Sequence, residues 1–301
     1  MRHHRTTLPR PVAFVFTSGG ARTAAQVGMV IELLAAKIVP DIIVGSSIGA
    51  LNAAALAADR DHSAAKLERT WQMIADESML ASPSAAVIAG FSDSRASKAA
   101  AQLRAILAES VPDVPIPDLP VPLTVVASDL RTGEAVELRT GSALDAVMAA
   151  SALPVVLPPV PAGDSLLIDG GLFAGAPLEP ALAAGARSIV LLDAGASAVP
   201  ESSLESIRWW QVGVLSYGHL IRGQLERALR DAAATVPVLC VSCDAGNIFD
   251  FDDPAALVTA GRHVSQAFLR RLPSRIRHPG VYGIPIGLAD DPRITSLAHL
   301  S

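Results

Sequence analysis

Apolar positions in this chain fall into short unbroken runs, and between the runs polarity recurs at helical spacing. The runs are residues 11–16, 42–44, 123–127, 166–168, 188–192 and 236–242, rich in Val, Ile and Leu. Near-continuous apolar runs of this length are strands buried on both faces, whereas half-exposed strands alternate. The intervening segments 24–37, 50–58, 63–80, 95–110, 177–184, 203–233 and 254–271 read as helices. Ser142 and Asp145 resemble a capping box that opens a further helix to Ala150, with Asp in place of the usual Glu. Residues 135–139 pair back on 123–127 through the turn Arg131-Thr132-Gly133-Glu134 as a hairpin. Strands alternating with helices predict an α/β fold, a three-layer α/β/α sandwich with a mostly parallel central sheet. No internal repeat or linker stands out. A single domain over 1–301 is expected, with 11–193 carrying the motifs and 194–301 completing the sheet and its helical cover. Pro112, Pro115, Pro117 and Pro120 exclude regular structure there and predict a surface connection, a candidate flap. Four further prolines over 154–161 predict an extended segment.

Composition narrows the class. Of 301 residues, 50% are apolar and 18% charged, enough for a large core, and aromatics are only 4%, so that core is mainly aliphatic. A net charge of −5 argues against a general nucleic-acid binder. Two cysteines, Cys240 and Cys243, exclude a disulfide scaffold; three apart on a strand they face opposite ways, as buried free thiols rather than half of a metal site. No run reaches the roughly 18 apolar residues of a membrane span. The run after the basic Met1–Arg5 is too short for a signal-peptide core. The expected location is cytoplasmic, with at most peripheral membrane contact.

Three motifs carry candidate chemistry. The run Ile42–Val44 enters Gly45-Ser46-Ser47-Ile48-Gly49, and an Ala-rich helix leaves it. This is the form of a nucleophile elbow, which presents one serine hydroxyl above a sheet edge. Only Ser47 has glycines at both flanking positions, so Ser47 is the candidate nucleophile and Gly45 and Gly49 the close-packing positions. Ser18-Gly19-Gly20-Ala21-Arg22 lies between the first strand and its helix. Consecutive glycines at a helix start can gather backbone N–H groups around an anion, either a phosphate or the oxyanion of acyl transfer. Asp169-Gly170-Gly171 follows a strand, where a carboxylate can serve as general base.

In this order, the GGxR loop, the GxSxG elbow and the DGG turn resemble the patatin-like phospholipase family. The likeness runs from about Val12 to Leu192 and includes Val125–Glu134 and Ala150–Val160. The resemblance implies a lipid acyl hydrolase or serine esterase with a dyad of Ser47 and Asp169 and no histidine. It implies an oxyanion hole at Gly19, Gly20, Ala21 and Arg22, with no metal and no cofactor. Its partner would be a lipid or another acyl ester. The chain departs from the family pattern at Ser18 and Thr23, where glycines are usual, and at Phe173–Ala176 after the DGG turn.

Two other readings fit parts of the chain. An α/β-hydrolase triad would use His278 or His299 with Asp193, although only one clear strand precedes Ser47. A phosphate-binding module would use Ser18–Arg22, although the P-loop Lys-Ser/Thr ending is absent. Asp250, Asp252 and Asp253 are read as a helix cap before Pro254 rather than an EF-hand. Trp209, Trp210, Val212, Val214, Leu215 and Tyr217 form the most aromatic patch, suited to a lipid-facing lid or to core packing. Arg2, Arg5 and Arg10, and Arg270, Arg271, Arg275 and Arg277, are solvated charges or contacts for anionic head groups.

Overall fold

A computed structural model describes residues 6–77, 93–154, 156–195, 209–244, 246, 248 and 250–300. Ten strands form one sheet among them: β1 (Val12–Phe16), β2 (Ile42–Ser46), β3 (Leu123–Asp129), β4 (Glu134–Leu138), β5 (Val160–Ala162), β6 (Ser165–Ile168), β7 (Ser188–Asp193), β8 (Pro237–Ser242), β9 (Gly280–Tyr282) and β10 (Ala298–Leu300). Their spatial order is β10-β9-β8-β7-β1-β2-β3-β6-β5, with β4 also on β3. From β10 to β3 every pairing is parallel; β3–β4, β3–β6 and β5–β6 are antiparallel.

The helices are α1 (Ala24–Ala35), α2 (Gly49–Ala58), α3 (Ser63–Asp76), α4 (Asp93–Leu107), α5 (Ala143–Ala150), α6 (Gly171–Ala174), α7 (Leu178–Ala183), α8 (Trp209–Ala233), α9 (Pro254–Arg271) and α10 (Pro292–Thr295). Alternation along β1 explains the layering. Val12, Phe14 and Phe16 join one core with α1, α2, α3 and α5, while Ala13 and Val15 join a second with α7 and α8. The expected three-layer α/β/α arrangement is therefore present. The Ser142 hydroxyl accepts from the Asp145 amide at 3.1 Å and caps α5 as its sequence predicts.

Helices α1 and α9 cross at two glycines. A Cβ on Gly28 would lie 2.0 Å from the Val258 carbonyl oxygen, and one on Gly261 would lie 1.9 Å from that of Ala25. Glu32 and Arg262 close the same seam with a 2.8 Å ion pair. Alanine in a helix gains about 1 kcal/mol over glycine in propensity. Both obstacles are backbone, so the overlap outweighs that gain. Gly261→Leu is expected to destabilise the protein by about 3 kcal/mol in a denaturant titration; an unchanged midpoint would show that the helices separate freely.

Some elements depart from expectation. The proline-rich stretch is not a plain surface connection, because Val111, Ile116 and Leu119 are buried in the core and Ile116–Asp118 form a 3-10 turn. Proline fixes φ without preventing the residues between from packing inward. Strands β5, β9 and β10, three residues each, are too short to carry a period. The C-terminal parts of the expected helix 63–80 and the start of 203–233 lie outside the described residues.

Candidate active site

The site forms where β2 and β6 run head to head. Strand β4 lies along one side of β3 from Val125 to Asp129, so β2 and β6 share the other. Ser46, at the end of β2, is opposite Val126, and Ile168, at the end of β6, is opposite Ser128. The two ends thus stand two β3 residues apart, about 7 Å. Ser47 and Asp169 are the next residue of each strand. Asp169 therefore does not sit at the carboxyl edge of a parallel strand, as its sequence context suggests. It arrives on an antiparallel strand and meets the elbow from the opposite direction.

The elbow has the strain its motif implies. Ser47 is held at φ +54°, the left-handed region that side chains avoid. Gly49 lets α2 start against β1: a Cβ there would lie 2.4 Å from the Thr17 carbonyl oxygen. At Gly45 a Cβ would meet the Ala53 Cβ at 2.7 Å, so β2 and α2 need both glycines.

The Ser47 hydroxyl donates to Oδ2 of Asp169 at 2.6 Å. The other carboxylate oxygen, Oδ1, accepts from the Gly171 amide at 2.8 Å and from the Tyr217 hydroxyl at 2.8 Å. Asp169 is only 2% exposed and Ser47 7%. Burial raises the Asp169 pKa above the ordinary carboxylate value, and the bonds from Ser47, Tyr217 and Gly171 pull against it. Gly170 lies so near β3 that a Cβ would be 2.0 Å from the Val126 carbonyl oxygen. Backbone bonds from Asp169 to Ala152 and from Gly170 to Ala150, both 3.0 Å, pin this turn.

The glycine loop divides in two. Gly19 and Gly20 line the cleft beside Ser47. Ala21 and Arg22 lie behind it, buried. The Ala21 amide donates to the Ile248 carbonyl at 2.8 Å, and the Ser18 amide to that of Gly175 at 2.8 Å. The Arg22 guanidinium donates to the carbonyls of Gly19 (3.2 Å) and Gly195 (3.3 Å), tying the loop to the end of β7. Burial lowers its pKa to about 10, opposed by the charges of Asp193 and Asp244. Of the four loop residues expected to form an oxyanion hole, Gly19 and Gly20 line the cleft, and Ala21 and Arg22 are not among its lining residues. The departures from the family pattern are absorbed locally: Ser18 Oγ lies 3.3 Å from Ser46 Oγ, and the Thr23 hydroxyl donates to the Gly20 carbonyl at 2.8 Å.

Above the pair lies a cleft of about 810 Å³, open solvent at its mouth included. Its lining is largely apolar and includes Ile48, Ile74, Leu153, Leu157, Ile221 and Phe251. Ser151 also lines it, and its buried hydroxyl has no hydrogen-bond partner among the described residues.

The residues of the other readings lie elsewhere. Asp193 accepts from Arg222 (3.3 Å) and Ser242 (2.6 Å), not from a histidine. His299 stacks on Tyr282 at 4.7 Å, and His219, His263 and His278 are exposed. No histidine lines the cleft among the described residues. Asp253 caps α9 through the Ala256 amide at 2.8 Å. Among the described residues no group of three His, Cys, Asp or Glu is arranged to hold a metal. Cys240 and Cys243 are buried free thiols, and burial raises both pKa values, that of Cys243 to about 11. Arg10 pairs with Asp41; Arg2, Arg5, His3 and His4 lie outside the described residues, as do the side chains of Trp209, Trp210, Val214 and Leu215. Tyr217 was legible only as one aromatic in that patch. Nothing in its spacing announces a bond to Asp169.

Fold and site together define an α/β protein with a buried serine–aspartate pair on the floor of an apolar cleft. The chain belongs to the patatin-like phospholipase family, whose pattern matches residues 14–182. It is 35% identical over 185 residues to an NTE family protein of Mycobacterium tuberculosis, covering 60% of this chain and 48% of that one. It is 30% identical over 193 residues to patatin-like phospholipase domain-containing protein 7 of Rattus norvegicus, covering 61% of this chain and 14% of the relative. The chain thus spans less than half the length of these relatives. Among solved structures, VipD from Legionella pneumophila superposes with a TM-score of 0.47 at 12% identity, over 89% of this chain and 67% of that one.

Proposed function

We propose that this chain is a lipid acyl hydrolase of the phospholipase A or lysophospholipase type, working through Ser47 and Asp169. The 2.6 Å bond from the Ser47 hydroxyl to a buried carboxylate, at the base of an apolar cleft, carries the reading. Asp169 takes the Ser47 proton as Oγ attacks the ester carbonyl, and the carbonyl oxygen becomes an oxyanion beside Gly19 and Gly20. Collapse expels the alcohol, which receives the proton from Asp169, and leaves an acyl-enzyme. Water then gives a proton to Asp169 and attacks the acyl group, and Ser47 leaves with that proton. The apolar walls suit the acyl chain, and neither step asks for a metal or cofactor. Among the described residues no helix is long and apolar enough to cross a membrane.

A carboxylate is a weak base for an alcohol, and its raised pKa narrows the gap. This has a measurable sign. The base must be ionised to act, so kcat/KM should rise with pH through the Asp169 pKa. Because that pKa is raised, the acid limb should lie above the ordinary value of 3.8. A rate already level at pH 4 would contradict a buried base. A fluorophosphonate probe followed by peptide mapping tests the nucleophile, with Ser47 the expected adduct. A lipidomic comparison of active and Ser47→Ala protein on a mixed lipid extract identifies the substrate class.

A further inference from the structure

The Asp169 carboxylate is held from three elements: the Ser47 hydroxyl from the elbow, the Gly171 amide from the start of α6, and the Tyr217 hydroxyl from α8. The load is divided. Among the described residues Oδ2 takes the serine alone, and Oδ1 takes the other two donors. The Gly171 amide is a fixed part of the turn, two residues from Asp169. Tyr217 comes from 48 residues away and from a helix whose next turn, Gly218 and Ile221, forms a wall of the cleft. The fit is close: a Cβ on Gly171 would lie 2.3 Å from the Tyr217 oxygen, so the phenol fills the space that the glycine leaves.

We propose that Tyr217 is a positioning residue for hydrolysis: its hydroxyl holds Oδ1 of Asp169 so that Oδ2 stays on Ser47. The proposal rests on the serine–aspartate reading above. Without the phenol, one amide alone would hold Oδ1, and rotation of the carboxyl group about its bond to Cβ would be less restrained. Burial and the Asp169 charge push the Tyr217 pKa well above its ordinary value, so the phenol remains a donor wherever Asp169 titrates. A bond given to the ionised form favours that form, so Tyr217 also restrains the rise that burial imposes on Asp169. Its removal therefore has a signature that packing alone lacks.

The test is the pH profile of kcat/KM on a p-nitrophenyl ester, for the wild-type chain and Tyr217→Phe. The acid limb of the variant should move to higher pH by about one unit, since a hydrogen bond to a charged group is worth at least that. Below the limb the rate should fall about tenfold, with a smaller loss on the plateau. A second arm reverses the sign. The chain has two tyrosines, Tyr217 and Tyr282. In a Tyr282→Phe background, 3-fluorotyrosine enters at Tyr217 alone, and its more acidic phenol is a stronger donor, so the limb should move to lower pH. Opposite shifts in the two proteins support the positioning role. A limb that coincides with wild type in either folded protein overturns it, and the fluorinated arm decides if Tyr217→Phe does not fold. Ser47→Ala in the same assay separates the two claims. Turnover retained there refutes the serine nucleophile, whereas turnover lost there with unmoved limbs refutes only the role of Tyr217.

Discussion

Ser47→Ala should lose ester hydrolysis by about 10⁴-fold or more and lose fluorophosphonate labelling entirely, because Ser47 is the serine whose hydroxyl is bonded to the Asp169 carboxylate that would take its proton. Asp169→Asn should be nearly as severe. The amide keeps the size of the carboxyl group and an oxygen for Tyr217 and Gly171, but it cannot accept the serine proton. Stability should respond in the opposite sense to activity. The Asp169 pKa is raised in the folded state. Between its unfolded and folded values the native protein binds more protons, so stability falls as pH rises through that window and stays reduced above it. Asn carries no charge to bury, and its thermal midpoint at neutral pH should equal or exceed that of wild type. An inactive Asp169→Asn protein with a sharply lowered midpoint would assign the carboxylate a structural duty instead. A Ser47→Ala protein with wild-type turnover would end the assignment of the nucleophile.

Gly170→Ala should be the most damaging single-methyl change near the site. The new Cβ would lie 2.0 Å from the Val126 carbonyl oxygen and 2.7 Å from Ser46 Oγ. Neither side yields easily: Val126 is in the middle of β3, and the turn is pinned to the end of α5 by two backbone bonds. The least resisted response moves the 169–171 turn away from β3 and carries Asp169 with it. A displacement of about 1 Å at a reacting pair costs about 10²-fold in rate, and overpacking of this kind costs about 1–3 kcal/mol of stability. Gly223→Ala is the matched control, since a Cβ at that position of α8 meets nothing within 4 Å. It should keep full activity and gain up to about 1 kcal/mol from helix propensity. Wild-type kcat in Gly170→Ala would show that Asp169 need not stand where it does.

Much of the candidate site is local and could be read in the chain. The elbow is a strand, a turn and a helix in one continuous stretch, residues 42–58. Its requirement for small residues at Gly45 and Gly49 follows from the packing of α2 on β2 and β1. Asp169 was legible through its glycines, because the turn bends too close to β3 for a side chain at Gly170. The strands were legible where they are long and buried on both faces. Other features depend on segments remote in sequence. Ile248 takes the Ala21 amide across more than two hundred residues, and Arg22 turns inward to Gly195. An apolar residue in a loop and an arginine after glycines carry no mark of those partners.

The sequence alone determined the alternating architecture, the family, and the choice of Ser47 and Asp169 as the candidate pair that the structure brings into contact, because each of these is written in short-range patterns of apolar runs and glycines. Only the tertiary structure decided that β6 runs antiparallel and meets β2 end to end, and that a phenol from α8 shares the carboxylate. The reason is physical. Strand direction and side-chain contact between distant segments are settled by how the sheet and its covering helices pack, and local propensity is silent about both.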